Sequence, residues 1–158
     1  MFSLFKPPPY LDPQLGELRW KGGLWRGSLA FGGAVAPLAL AGTRDSPDAQ
    51  ALEVARVVST DYPQWQPEIG RAMFDHYAPH ATAVTFGEEL PPPGGMPDLE
   101  DPEQVWPHAA IKFVQVAPLD GGLTVEIGYQ VAWDDEHTVG ARLRQGRLIE
   151  LNGSVLPP

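Results

Sequence analysis

The sequence predicts an α+β fold in which antiparallel β-meanders pack on a central helical hairpin. Three observations predict it. Short apolar runs cut by glycine pairs begin at Leu15 and return in the last third of the chain, as strands joined by tight hairpins do. Between them, Leu52, Ala55 and Val58, and then Trp65, Ile69, Ala72, Met73 and His76, recur at helical spacing. The 158 residues are enough for one core, because folding at this size removes about 68–70% of the unfolded chain's surface from water.

The elements follow in chain order. Residues 1–13 hold Pro7, Pro8, Pro9 and Pro13 with little periodicity, which reads as an extended N-terminal arm. Pro7-Pro8-Pro9-Tyr10 also matches a short P-P-x-Y ligand pattern, although the plain arm is the preferred reading. A single domain is expected over residues 14–158. Leu15–Trp20, Leu24–Ala30 and Val35–Ala41 are expected strands, with Gly22-Gly23 and Gly32-Gly33 at the turns. Ser46 is placed to cap a helix with Pro47 at its first position, and Asp61-Tyr62-Pro63 reads as the break before a second helix over residues 64–77. The two helices form the layer that covers the apolar face of the sheet.

Residues 87–100 place Glu88, Glu89, Asp98 and Glu100 among prolines and glycines, the composition of a long acidic surface loop. Asp101-Pro102-Glu103-Gln104 reads as a capped helical start ending by Pro107. Four strands then close the domain. They are Ile111–Val116, Leu123–Trp133, Val139–Leu143 and Leu148–Leu151, with turn signals at Pro118–Gly122 and Gln145-Gly146. Strands on both sides of a helical centre allow either two sheets or one curved sheet.

Composition narrows the function. Eleven Lys and Arg against twenty Asp and Glu give a net charge of −9, which repels phosphate backbones and favours a basic protein partner over nucleic acid. Cysteine is absent, so disulfides, thiolate metal sites and cysteine nucleophiles are excluded. The N-terminus lacks the pattern of a secretory signal and no apolar run reaches a bilayer span of about 18 residues, so a cytoplasmic location without membrane contact is expected. No phosphate-cradling glycine loop, nucleophile elbow or ordered catalytic triad is present, and no cofactor is expected.

The densest polar cluster is Trp133-Asp134-Asp135-Glu136-His137. Three carboxylates beside an imidazole suit acid–base chemistry or a hard cation, but adjacent residues point in different directions, and a structural turn is the preferred reading. Its strongest functional alternative is a partner-binding surface made by Trp133, Asp134, Glu136 and His137, with Trp106 as a further aromatic anchor. His76 and His80 are four residues apart, the spacing of a zinc pair. Tyr77 stands where zinc hydrolases place glutamate and Pro79 reads as a helix breaker before His80, so no metal ligand is assigned.

Asp12-Pro13-x-x-Gly16-x-Leu18, Trp25-x-Gly27, Val105-Trp106 and Trp133-Asp134-x-Glu136-His137 before Val139-Gly140 and Gly146 together resemble an uncharacterised bacterial domain family. Some of its relatives look like immunity proteins of polymorphic toxin systems. The resemblance runs from Asp12 to Gly153, and Thr138 stands where the family pattern has glycine. It implies an α+β domain without an assigned catalytic role.

Two functions compete on these grounds. One is a non-enzymatic partner-binding domain, immunity-like in its toxin-directed form; the other is a metal-assisted or acid–base enzyme using Asp134, Glu136 and His137, with His76 folded nearby.

Overall fold

The computed structural model describes residues 5–158. Four strands come first: β1 Tyr10–Asp12, β2 Gly16–Lys21, β3 Leu24–Phe31 and β4 Ala34–Leu40. A helix, α1 Ala49–Thr85, and a 3-10 helix, Pro102–His108, follow. Four longer strands complete the chain: β5 Ala109–Leu119, β6 Gly122–Val131, β7 Asp134–Arg144 and β8 Arg147–Val155. All eight lie in one sheet in chain order. Neighbours are antiparallel except β4 and β5, which run parallel with Leu38–Leu40 opposite Val114–Val116. That exception follows from connectivity, because parallel neighbours need a long crossover and α1 supplies it. The α+β class and both meanders agree with the sequence, and the single-sheet alternative is the one adopted.

The helical hairpin is corrected: α1 is one continuous helix of 37 residues. Ala51, Leu52, Ala55, Val58, Tyr62, Trp65, Ile69, Met73 and Tyr77 form an unbroken buried stripe through the expected break. Pro63, Pro67 and Pro79 all lie on exposed positions of the helix. Each proline removes one backbone donor, and on the exposed side of the helix water can take the place of that donor without ending the helix. Capping also shifts. Asp48, rather than Ser46, accepts the Ala51 N–H at 2.9 Å, and Pro47 instead bridges to Gly42.

Turn chemistry places the strands. Asp120-Gly121 and Gln145-Gly146 have positive φ at both positions, 49° and 88° in the first and 50° and 75° in the second, the geometry of two-residue hairpins whose twist matches the strands. On β6, Val125, Ile127, Tyr129 and Val131 alternate onto the helix-facing side and are buried with the stripe of α1. The opposite side of the same strand holds the buried Glu126, paired with Arg142 at 2.5 Å. It also holds Gly128, where a β-carbon would lie 2.1 Å from the Phe113 ring; only glycine admits that close approach.

The sheet curls about α1 until strands at both edges reach it. Asp12, ending β1, binds Arg56 at 2.5 Å, and the Leu148 N–H of β8 donates to Glu68 at 2.9 Å. Tyr10–Asp12 of the expected arm therefore lies in the sheet, and the Tyr10 ring of the P-P-x-Y pattern packs edge-on against Trp25 at 6.5 Å. The rest of that arm up to Leu4 lies outside the described residues. After α1 the chain turns back along the C-terminal half of the helix. Tyr77 Oη donates to the Pro97 carbonyl at 2.5 Å and accepts from the Leu99 N–H at 3.0 Å, which ties the acidic loop to the helix. No helix among the described residues is long and apolar enough to cross a membrane.

Candidate functional site

The polar cluster singled out in the sequence sits on a tight hairpin, and its residues separate into two groups. Val131 pairs with Asp134, so the turn is Ala132-Trp133, and Asp134 through His137 already belong to β7. The turn expected over residues 133–137 is thus narrowed to two residues. Trp133 and Asp134 are buried, whereas Asp135, Glu136 and His137 are exposed. Asp134 organises the hairpin. Its carboxylate accepts the Glu136 N–H at 3.1 Å and faces His137 Nδ1 at 3.0 Å, and since an ionised carboxylate only accepts, His137 Nδ1 carries the proton. Glu136 contributes its backbone to this arrangement.

Trp133 is a core residue, exposed by only 2%, and its ring lies edge-on to Tyr77 at 5.6 Å. Its indole N–H donates to His76 Nδ1 at 3.0 Å. An indole has no acceptor, so the lone pair of His76 is on Nδ1 and the neutral ring keeps its proton on Nε2. Burial pushes the His76 pKa below its ordinary value, and the neighbouring His80 and His137 add to the fall while Asp134 opposes it. His76 is therefore held neutral in a packed setting.

Pro79 does not separate His80 from His76. The helix runs to Thr85, so both histidines occupy one face with ring centroids 5.1 Å apart. His80 Nδ1 in turn meets Glu89 Oε2 at 3.0 Å, where the loop begins to return along α1. One ligand atom from each of His76, His80 and Asp134 lies within 4.8 Å of the others. The sequence pairs His76 with His80 by spacing alone. Asp134 joins them only through the fold, and Glu89 carries no signal that relates it to His80.

Trp106 belongs elsewhere. It packs against Tyr62 and Tyr129, with centroids 6.3 and 6.2 Å away, and lines a cavity with Pro63, Pro67, Arg71 and Asp101. The expected capping box before it is rearranged, because Asp101 accepts the Glu103 N–H while Gln104 reaches Glu100 N–H rather than Asp101. Beside the hairpin, a second cavity of about 580 Å³ is bounded by the loop from Pro92 to Pro97, by His108 and by Asp135.

Charge is distributed unevenly around this region. The segments Ala72–Ile111 and Trp133–His137 contain ten carboxylates and no Lys or Arg, while the remaining ten acids face all eleven cations. Along the chain the whole negative surplus therefore lies in these two segments, and Arg71, just before the first, lines a cavity with Asp101 and Glu103. Phe86 and Leu90, in the same segment, are 75% and 91% exposed.

Among known families, the model described as "Domain of unknown function (DUF6985)" matches residues 15–155. No curated protein and no solved structure matches the chain.

Proposed function

The chain belongs to the DUF6985 domain family, whose description assigns no activity, and from its own residues we propose that it is a protein-binding domain that docks a basic partner. The observation that carries this reading is the segregation of charge along the chain: residues 72–111 and 133–137 hold ten carboxylates and no Lys or Arg, Asp135 among them bounds the groove, and Phe86 and Leu90 of the same segment are exposed. A field of one sign steers a basic partner and rejects acidic ones, and exposed apolar side chains supply the dehydrated contacts that charge alone does not. A basic toxin held inactive is one partner of this kind, the immunity-like role that the motif resemblance implies.

Trp133 and Trp106 are not contact residues in this reading, because their rings are committed to packing against Tyr77, Tyr62 and Tyr129. The contact residues are instead Glu88, Glu100, Glu103, Asp135 and Glu136, all exposed.

The test is capture of the partner from the cells that make the protein. A stoichiometric basic protein should bind, should leave as salt rises from about 0.1 to about 0.5 M, where exposed charges are screened, and should be lost when Glu88, Glu100 and Glu103 become Gln. If nothing is retained, or if the retained protein ignores both salt and the substitutions, the proposal fails.

A further inference from the structure

His76, His80 and Asp134 are not among the proposed docking residues, although Asp134 adjoins Asp135 and Glu136 in β7, and their geometry has a use of its own. We propose that these three side chains form a binding site for a divalent first-row transition metal ion, with Glu89 orienting His80 for ligation.

The donor set fits such an ion. Two imidazoles and one carboxylate suit zinc and its neighbours in the first row, whereas magnesium and calcium prefer oxygen ligands throughout. The three ligand atoms lie within 4.8 Å of one another. A tetrahedral ion with ligands at about 2.0–2.2 Å sets them about 3.4 Å apart, so closing the site takes an adjustment on the order of 1 Å. Since α1 fixes the two histidines at i and i+4 and the hairpin fixes Asp134, that adjustment falls to the side chains.

Protonation is also arranged for ligation. Glu89 can only accept from His80 Nδ1, so the proton sits there and the lone pair lies on Nε2. This is the carboxylate–histidine pairing that fixes the tautomer of metal-bound imidazoles. His76 offers the lone pair of Nδ1, at present held by the Trp133 indole N–H. An ion at the site would replace that N–H as the partner of Nδ1. Asp134 gives one carboxylate oxygen while its hydrogen bonds to Glu136 N–H and His137 keep the group in place. The side chains of His80 and Glu89 are 27% and 46% exposed, which leaves a path from solvent.

The experiment uses the untagged full chain, stripped with a chelator and titrated with Zn²⁺ by calorimetry while tryptophan emission is followed. One ion per chain should bind, and emission should change as Trp133 loses its partner. His80→Ala should weaken binding at least tenfold. Glu89→Gln, which alters no ligand atom, should weaken it about tenfold, the size of effect that outer-sphere partners of ligating histidines have. His108→Ala should leave affinity unchanged. The proposal is overturned if no saturable binding of one ion appears, or if His80→Ala and Glu89→Gln bind as tightly as the parent chain. No partner protein enters this assay, so its result is separate from that of the docking test.

Discussion

Asp12 shows how much one side chain holds at the edge of this sheet. Its carboxylate accepts the N–H groups of Gln14 and Leu15, at 3.0 and 2.9 Å, closing the turn from β1 to β2, and its other oxygen binds Arg56 on the helix. Asp12→Ala leaves the buried Leu15 N–H without an acceptor, and a loss of about 2 kcal/mol in urea unfolding is expected, within the usual cost of an unmet buried donor. The same contacts set an acid response. The Arg56 guanidinium, and then the two N–H groups, hold the Asp12 pKa below 3.8 against the opposing effect of burial, and the Leu148 N–H together with Arg147 holds Glu68 below 4.5. Both folded values are depressed, so this stability is fully present above the unfolded values and is lost as pH falls through the folded ones. Melting temperature measured from about pH 5 to pH 2 should therefore fall, and Asp12→Asn should flatten the lower part of that fall. A profile that Asp12→Asn leaves parallel to the parent's would show that the carboxylate is not depressed by its contacts. Deeper in the core, the hydroxyls of Tyr62 and Tyr129 bond at 2.8 Å, and burial raises both pKa values. Tyr62→Phe leaves the buried Tyr129 hydroxyl without its partner and should cost about 1–2 kcal/mol, while the double change with Tyr129→Phe should cost less than the sum of the two single changes. Additive losses would argue that the pair is not coupled.

At the scale of elements, the prolines of α1 decide both a prediction and a lesson about legibility. Pro79 is exposed and, lacking an N–H, leaves the Asp75 carbonyl without its intrahelical partner. Pro79→Ala restores that bond but frees the unfolded chain, so a net gain on the order of 1 kcal/mol is expected, read as a rise of about 2–4 °C in melting temperature. A fall would mean that the ring packs favourably where it stands. The strands were legible because glycine turns and alternation are local signals, and Gly22-Gly23 to Gln145-Gly146 mark hairpins wherever they occur. The single helix was legible too, in the stripe that runs unbroken from Ala51 to Tyr77, but a local breaker rule outweighed a signal spread over seven turns. Trp133 gave a similar hint, since it continues the odd-numbered, helix-facing positions Val125, Ile127, Tyr129 and Val131. The meeting of Asp134 with His76 and His80 was not legible. It joins residues more than fifty positions apart through the curl of the sheet, and no periodicity encodes that.

Across the whole molecule, the question is what makes two meanders one folding unit. The ladder between β4 and β5 pairs only three residues on each side, against ten between β5 and β6, so the sheet has a weak seam at its middle. The helix bridges that seam. Its buried stripe shares one core with Trp25, Leu29 and Phe31 from the first meander and with Val125, Ile127, Tyr129 and Trp133 from the second. Stability of each half therefore depends on the same helix, and unfolding is expected to be a single transition. Three tryptophans sit conveniently for the test: Trp25 in β3, Trp65 on α1 and Trp133 at the β6–β7 turn. Chains that keep one of these and carry Phe at the other four tryptophans should give the same urea midpoint by emission as by far-ultraviolet circular dichroism, each chain judged against itself. Ile69→Ala, at a fully buried position of the stripe, should then remove about 2–5 kcal/mol and lower the midpoint equally for the Trp25 and Trp133 reporters. If within the chain that keeps Trp133 the emission midpoint instead lies above the circular-dichroism midpoint, or Ile69→Ala lowers the midpoint of only one of the two reporter chains, the two meanders fold independently, and the helix belongs to only one of two separable units.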